Sequence, residues 1–138
     1  MKVTLEELKT EAQSMQNFLE CMIPCEIEAT IDHAKTLAVF HARSGQMLSD
    51  AKMIYKSKKS GQIAEVIIKI AKEGYLSAKA QNALIDTLAQ EEAYMVDWLD
   101  RINANCVHQI DLCRTIISKF KEEMKMSNIP ETTIKYGY

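Results

Sequence analysis

The fold is decided by residues 77–126, which read SAKAQNALIDTLAQEEAYMVDWLDRINANCVHQIDLCRTIISKFKEEMKM. This stretch contains no Gly or Pro, so it predicts one long C-terminal helix that would span about 75 Å if straight. A capping box at Thr87 and Gln90 allows a break within residues 86–90, which would give a short helix followed by a long one. Alternating three- and four-residue spacing, as in a coiled coil, relates Ile85, Leu88, Glu92, Met95, Leu99, Ile102, Cys106, Gln109, Cys113, Ile116 and Phe120.

The rest of the chain is also predicted to be helical, because its 138 residues include only four Gly and two Pro. Few breaks imply a few long elements, so we expect a single all-α domain built as a helical bundle. Thr4 and Glu7 form a capping box, Pro24 suits a first helical turn, and Gly61 and Gly74 suit helix ends. The expected helices are residues 4–22, 24–59, 62–73 and 77–126, followed by a C-terminal tail or arm at 127–138.

Helical spacing assigns an inner face to each of the first two helices. Gly45 lies inside the second helix, where it costs about 1 kcal/mol relative to Ala, so either a neighbour packs tightly against it or the helix bends. The face of the first helix comprises Leu5, Leu8, Ala12, Met15, Phe18 or Leu19, and Met22. The face of the second comprises Ile27, Ile31, Ala34, Leu37, Ala38, His41, Leu48, Ala51 and Tyr55.

The apolar seam of the last helix is longer than the second helix, which would cover about 54 Å. Helices one and three can cover only part of the remainder. We therefore expect the protein to associate with itself as a homo-oligomer. In that case the tail would be an arm that lies on another subunit, where Tyr136 and Tyr138 could anchor it.

Several classes of protein are excluded by composition and motifs. The N-terminal sequence MKVTLEELK lacks an apolar signal region and no apolar run approaches the ~18 residues needed to span a bilayer, so we expect a cytoplasmic protein without membrane contact. A di-iron bundle needs Glu three residues before His, and none of the three His residues has it. Neither a phosphate-binding glycine loop nor a catalytic motif is found, so no enzymatic activity and no cofactor are expected.

The four cysteines are expected to be reduced thiols. A zinc site could combine Cys21 and Cys25 with Cys106 and Cys113, and with His108. The alternative is that they pack as small apolar side chains, and the positions of the second pair on the apolar seam favour this. No metal site is therefore assigned.

Charge is unevenly distributed, although the net charge is only −2. Residues 52–79 hold seven Lys against two Glu, so the middle of the chain is the natural place for an anion. Within it, Tyr55-Lys56-Ser57-Lys58-Lys59 predicts an anion pocket in which Tyr55 stacks on a base and the lysines hold phosphates. The alternative is a solvated helix end.

A second candidate site is the polar stretch at residues 97–109, which contains Trp98. Two Asn and two Asp lie there in mid-helix, where they are unfavourable, so another requirement is expected to hold them. Helical spacing places Arg101, Asn105 and His108 on one face that could bind a ligand or partner. Facing side chains would come from the second helix, namely His41, Arg43 and Ser44. The alternative is a buried polar layer that sets the register between helices.

Residues 70–81 have some features of a helix-turn-helix, with Gly74 in the turn and Ser77 starting the second helix. The basic middle agrees with DNA binding through residues 62–88. However, the second helix offers only Lys79, Gln81 and Asn82 as polar readers and has no Arg. The alternative is an ordinary corner between two helices.

The motif Tyr94-x-x-x-Trp98-x-Asp100-Arg101-Ile102-Asn103, followed by His108-Gln109, resembles small helical proteins encoded by phages and prophages of gut bacteria. The resemblance covers residues 94–124 and implies a viral protein that acts by binding in the host cytoplasm or in the virion. Three functions follow as hypotheses. The first is an oligomeric binding protein that captures a nucleotide-like anion or a partner protein, the second a structural protein of virion assembly, and the third a DNA-binding accessory protein.

Overall fold

The protein folds as a bundle of α-helices, as the sequence predicts. The computed structural model describes the backbone of residues 2–74 and 77–136, and the side chains of residues 2–74 and 77–127. The helices are α1 (Leu5–Leu19), α2 (Ile27–Glu73), α3 (Ala78–Leu88) and α4 (Gln90–Tyr136). Helices α2 and α4 pack along each other, and α1 packs against both. The pairing of Lys58 with Glu92 and of His33 with Gln109 shows that α2 and α4 run antiparallel.

The predicted capping box starts α1. The Glu7 backbone N–H donates to the Thr4 hydroxyl at 3.2 Å, and the Thr4 backbone N–H donates to the Glu7 carboxylate at 3.3 Å. The expected helix end at residue 22 and the start of the next helix at Pro24 are wrong. The backbone leaves the helix after Leu19 and resumes at Ile27, where the Thr30 hydroxyl lies 2.7 Å from the carbonyl oxygens of both Pro24 and Glu26.

One helix replaces the two that were expected at residues 24–59 and 62–73. Helix α2 continues through Gly61 and ends at Gly74, which adopts a φ of 107° that favours glycine. Val66, in the part of α2 that follows Gly61, is buried. A helical glycine costs about 1 kcal/mol, which is less than such burial contributes, so packing overrides the local stop signal.

Helix α4 is longer than expected. It is separated from α3 at the buried Ala89, so the predicted break within residues 86–90 is confirmed. The expected helix end at residue 126 is wrong, since α4 continues to Tyr136. Pro130 lacks a backbone N–H and so removes only one hydrogen bond from the helix. The other backbone hydrogen bonds, from residue i to residue i−4, can form whether or not the side chains follow an apolar pattern. The side chains of Tyr136 and Tyr138, predicted as anchors, lie outside the described residues.

The core lies where α1, α2 and α4 meet. Its residues agree more closely with the apolar seam predicted for the last helix than with the inner face predicted for the second helix. Leu88 departs from the predicted seam, because it is exposed. On α2, Ile31 and Ala38 are exposed and three polar residues, Thr30, His33 and Ser44, are buried instead. The central core consists of Leu8, Ala12, Met15, Leu19, Leu37, Met47, Ala51, Met95, Leu99, Ile102, Cys106 and Cys113.

Candidate functional site

A buried polar contact joins α2 and α4 at the middle of the bundle. The Asn103 side-chain amide donates to the His41 carbonyl oxygen at 2.9 Å and to the Ser44 hydroxyl at 3.0 Å. Ser44 in turn donates to the His41 carbonyl at 3.1 Å. A Cβ added at Gly45 would lie 3.7 Å from the Asn103 amide nitrogen, which is ordinary contact. Gly45 therefore lies beside this polar contact, but the packing there does not require a glycine.

A second polar contact joins α1, α2 and α4. The Gln109 amide donates to the Leu19 carbonyl oxygen at the end of α1, at 2.8 Å. Its side-chain oxygen lies 3.4 Å from His33 Nε2, and the His33 ring stacks on Phe18 with centroids 4.5 Å apart. A third contact runs from Trp98 Nε1 to the Gln16 side-chain oxygen at 3.1 Å. These bonds fix how far each helix is displaced along its neighbours.

The residues that were predicted to form a ligand face within 97–109 lie on the outside of the bundle. Arg101, Asn105 and His108 are exposed, because Leu99, Ile102 and Cys106 bury the opposite face of the helix. Asn103 and Gln109 make the inward contacts instead. The polar layer that was the alternative interpretation describes this stretch.

Arg43 of α2 turns towards α1 rather than towards α4. Its guanidinium donates to the Glu11 carboxylate, with 2.9 Å between Nη2 and Oε1. This hydrogen bond holds the pKa of Glu11 below its ordinary value and raises the pKa of Arg43. His41 contributes its carbonyl rather than its ring, whose Nδ1 is buried without a hydrogen-bond partner among the described residues. The expected group of His41, Arg43 and Ser44 therefore does not face Arg101, Asn105 and His108.

The basic cluster, in contrast, borders a cavity between α2 and α4. The cavity measures about 450 Å³. Lys59 Nζ lies 5.1 Å from the centroid of the Tyr55 ring, a cation–π arrangement. The wall on the α4 side is partly apolar and carries one carboxylate, that of Asp97. We call this the basic cavity, and its lining residues are Lys52, Tyr55, Lys56, Lys59, Ala93, Val96 and Asp97.

Lys58 is the one lysine of the predicted anion pocket that does not line the basic cavity. Its Nζ is 3.8 Å from a carboxylate oxygen of Glu92, whose side chain is largely buried. Lys52, Lys56 and Lys59 follow helical spacing at i, i+4 and i+7, so they share one face that excludes Lys58. The helical spacing in the sequence therefore already indicated that Lys52 belongs with Lys56 and Lys59. Asp97 could be found only from the pairing of α2 with α4.

The cysteines lie in two different environments. Cys21 and Cys25 are exposed on the connector between α1 and α2, whereas Cys106 and Cys113 are buried in the core. Burial raises the pKa of both buried thiols, which disfavours the thiolate that zinc requires. Among the described residues, no group of three or more His, Cys, Asp or Glu side chains is placed to hold a metal ion.

The helix-turn-helix candidate is described except at residues 75 and 76, which fall in its turn. Ser77 caps α3 by accepting from the Ala80 backbone N–H at 3.1 Å. Lys79 and Asn82 are exposed, and Gln81 is half-buried.

Comparison with known proteins adds no relative. No protein-family model, no curated protein and no solved structure matches this chain. Within the described residues, none of the helices has the length and apolar character needed to cross a membrane.

Proposed function

We propose that this chain is a non-enzymatic helical binding protein that captures a nucleotide-like anion in the basic cavity. The observation that carries the proposal is the meeting of three lysines and an aromatic ring at one cavity, formed by Lys52, Tyr55, Lys56 and Lys59. Cavities of about 300–1,000 Å³ are typical of small-ligand sites, and this one falls in that range.

Each part of the lining supports a different part of such a ligand. Lysine ammonium groups bind phosphate oxygens as point charges with rotatable donors. Tyr55 offers a ring face that can stack on a base, and Val96 supplies an apolar wall. The Asp97 carboxylate repels a bare anion but accepts a hydrogen bond from an amino group. A ligand that combines phosphate with a base therefore fits the lining better than phosphate alone.

The resemblance to small phage-encoded proteins suggests where this binding would act. A protein of that kind would act by holding a molecule rather than converting it. We propose capture in the host cytoplasm, where soluble nucleotides are found.

Calorimetric titration with mono- and cyclic nucleotides tests the proposal. Neutralising Lys52 and Lys59 together, as Lys52→Gln and Lys59→Gln, should weaken nucleotide binding by roughly tenfold or more, because charge-assisted hydrogen bonds are lost. Lys69→Gln with Lys72→Gln removes the same two positive charges from exposed positions on the same helix. This control should leave the affinity nearly unchanged, which separates local contacts from net charge.

A second variant tests the stacking step. Tyr55→Leu should weaken nucleotide binding while leaving pyrophosphate binding unchanged, since pyrophosphate has no base to stack. If wild-type protein binds no nucleotide, or if Lys69→Gln with Lys72→Gln weakens binding as much as Lys52→Gln with Lys59→Gln does, the proposal is wrong.

DNA binding is the second candidate, favoured by the exposure of Lys79 and Asn82 on α3. It predicts that duplex DNA is retained at low salt and released steeply as salt rises. Lys79→Gln should then reduce retention, whereas Lys52→Gln should not. Nucleotide binding without DNA retention would favour ligand capture in the basic cavity over DNA binding.

A further inference from the structure

Helix α4 extends past the helices that pack against it. His33 of α2 is level with Gln109, so Ile27, six residues earlier on an antiparallel helix, is level with about residue 115. Leu19, where α1 ends, also bonds to Gln109. In the described part of the chain, residues 116–127 of α4 therefore have no helix alongside them.

The apolar face of α4 continues into this extension, with the charged residues Lys119 and Glu123 on its Leu112 side. In a two-helix seam the positions flanking the core are often charged, which limits the number of partners. Here the flanking positions of α4 include Leu112, Met124 and Met126, which are 50%, 55% and 65% exposed. We call the following set the C-terminal apolar face: Leu112, Ile116, Ile117, Phe120, Met124 and Met126.

Opposite charges lie beside this face. The connector and the start of α2, residues 20–32, carry four acidic residues and no Lys or Arg. The end of α4, residues 114–127, carries four basic residues against two Glu. Because both segments lie at the same end of the bundle, a second copy turned by two-fold symmetry would place basic against acidic twice.

We infer that the C-terminal apolar face binds a second copy of this chain, with the two α4 helices antiparallel and crossing near Phe120. In that register Phe120 meets its symmetry mate, and Ile116 is level with Met124 of the partner subunit. The basic end of each α4 then reaches the acidic connector of the other copy. This inference is independent of the proposed ligand, because the basic cavity lies near the other end of α4.

Sedimentation equilibrium over a wide range of protein concentration tests the inference. The wild-type chain should be a dimer, and Phe120→Glu should raise the dissociation constant by roughly thirtyfold or more, since it places a carboxylate at the centre of the interface. Ile67→Lys is the matched control, because Ile67 is 59% exposed on α2 at the opposite end. It should leave dimerisation unchanged, and circular dichroism should show full helix content in both variants.

Charge reversal tests the orientation of the two copies. Lys121→Glu with Lys125→Glu should weaken the dimer, as should Glu26→Lys with Glu28→Lys. The four changes combined should restore it, because each reversed segment again faces its opposite. A monomeric wild type, a dimer that survives Phe120→Glu, loss of the dimer with Ile67→Lys, or failure of the combined variant to restore it overturns the inference.

Discussion

Glycine at three positions of the described chain has three different surroundings. A Cβ added at Gly61 would meet nothing within 4 Å, whereas Gly74 has a φ of 107° that L-residues rarely adopt. Gly61→Ala should raise the free energy of unfolding by about 0.5–1 kcal/mol, because alanine restricts the unfolded chain and favours helix. Gly74→Ala should lower it. Urea denaturation measures both, and a destabilising Gly61→Ala would show that α2 is broken there in solution.

Asn103 is the residue on which the polar layer depends. Asn103→Leu should lower the free energy of unfolding by about 1–3 kcal/mol, because the His41 carbonyl and the Ser44 hydroxyl lose their donor while Ser44 stays buried. Asn105→Leu is the matched control on the exposed face two residues away, with an expected effect within about 0.5 kcal/mol. Equal effects in chemical denaturation would refute the structural role of Asn103.

At the scale of helices, α1 is tied to α2 by Arg43 and Glu11. The pKa of Glu11 is lower in the folded protein, so the ion pair stabilises the fold at pH values above the unfolded pKa of about 4.3. This contribution is lost as the pH falls through the folded-state pKa. Its exposed position keeps it below about 1 kcal/mol.

Glu11→Gln should therefore lower the free energy of unfolding near neutral pH, and the difference from wild type should shrink towards zero in acid. Denaturation curves across this pH range measure it. Glu65→Gln, at an exposed position of α2, should change little at any pH. A Glu11→Gln difference that stays constant in acid would show that the ion pair is not what stabilises α1 docking.

The helices also show which parts of the fold can be predicted from a single sequence. The seam of α4 was predictable because its buried positions are mostly apolar and its spacing is unbroken, so periodicity identifies the face directly. The face of α2 was not, since Thr30, His33 and Ser44 are buried there. Hydrogen bonds to the connector and to α4 satisfy these polar side chains, and no local pattern reveals a hydrogen-bond partner that is distant in sequence.

The same limit applies to the candidate site. Tyr55, Lys56 and Lys59 were found from composition and do line the basic cavity. Lys58, which was predicted with them, does not line the cavity, because helical spacing places it on a different face of α2. Asp97 was missed, since its distance from Lys56 depends on how α4 is displaced along α2.

At the scale of the whole molecule, packing is concentrated in the middle. The core draws on α1 and on the first halves of α2 and α4, whereas both ends of the bundle expose apolar side chains. Ile63, Ile67 and Ile68 are exposed at one end, and Met124 and Met126 at the other. Local stability should follow this distribution, because regions with few buried apolar contacts open at low free energy.

Hydrogen exchange measured by mass spectrometry should show this gradient directly. Backbone amides in residues 92–113 should exchange most slowly, since Leu99, Ile102 and Cys106 are fully buried there. Residues 60–73 should exchange faster. Residues 114–127 should exchange fast in dilute protein and slowly in concentrated protein, because a second copy would cover them only when dimers form.

The concentration dependence separates two explanations of the C-terminal apolar face. If contacts within one chain covered it, residues 114–127 would be protected equally at every dilution. If a second copy covers it, dilution removes protection there and leaves residues 92–113 unchanged. Phe120→Glu should give the dilute pattern at all concentrations, whereas Ile67→Lys should behave like wild type. Protection that responds equally to both variants would mean that the two ends of the bundle associate without preference, and no defined dimer exists.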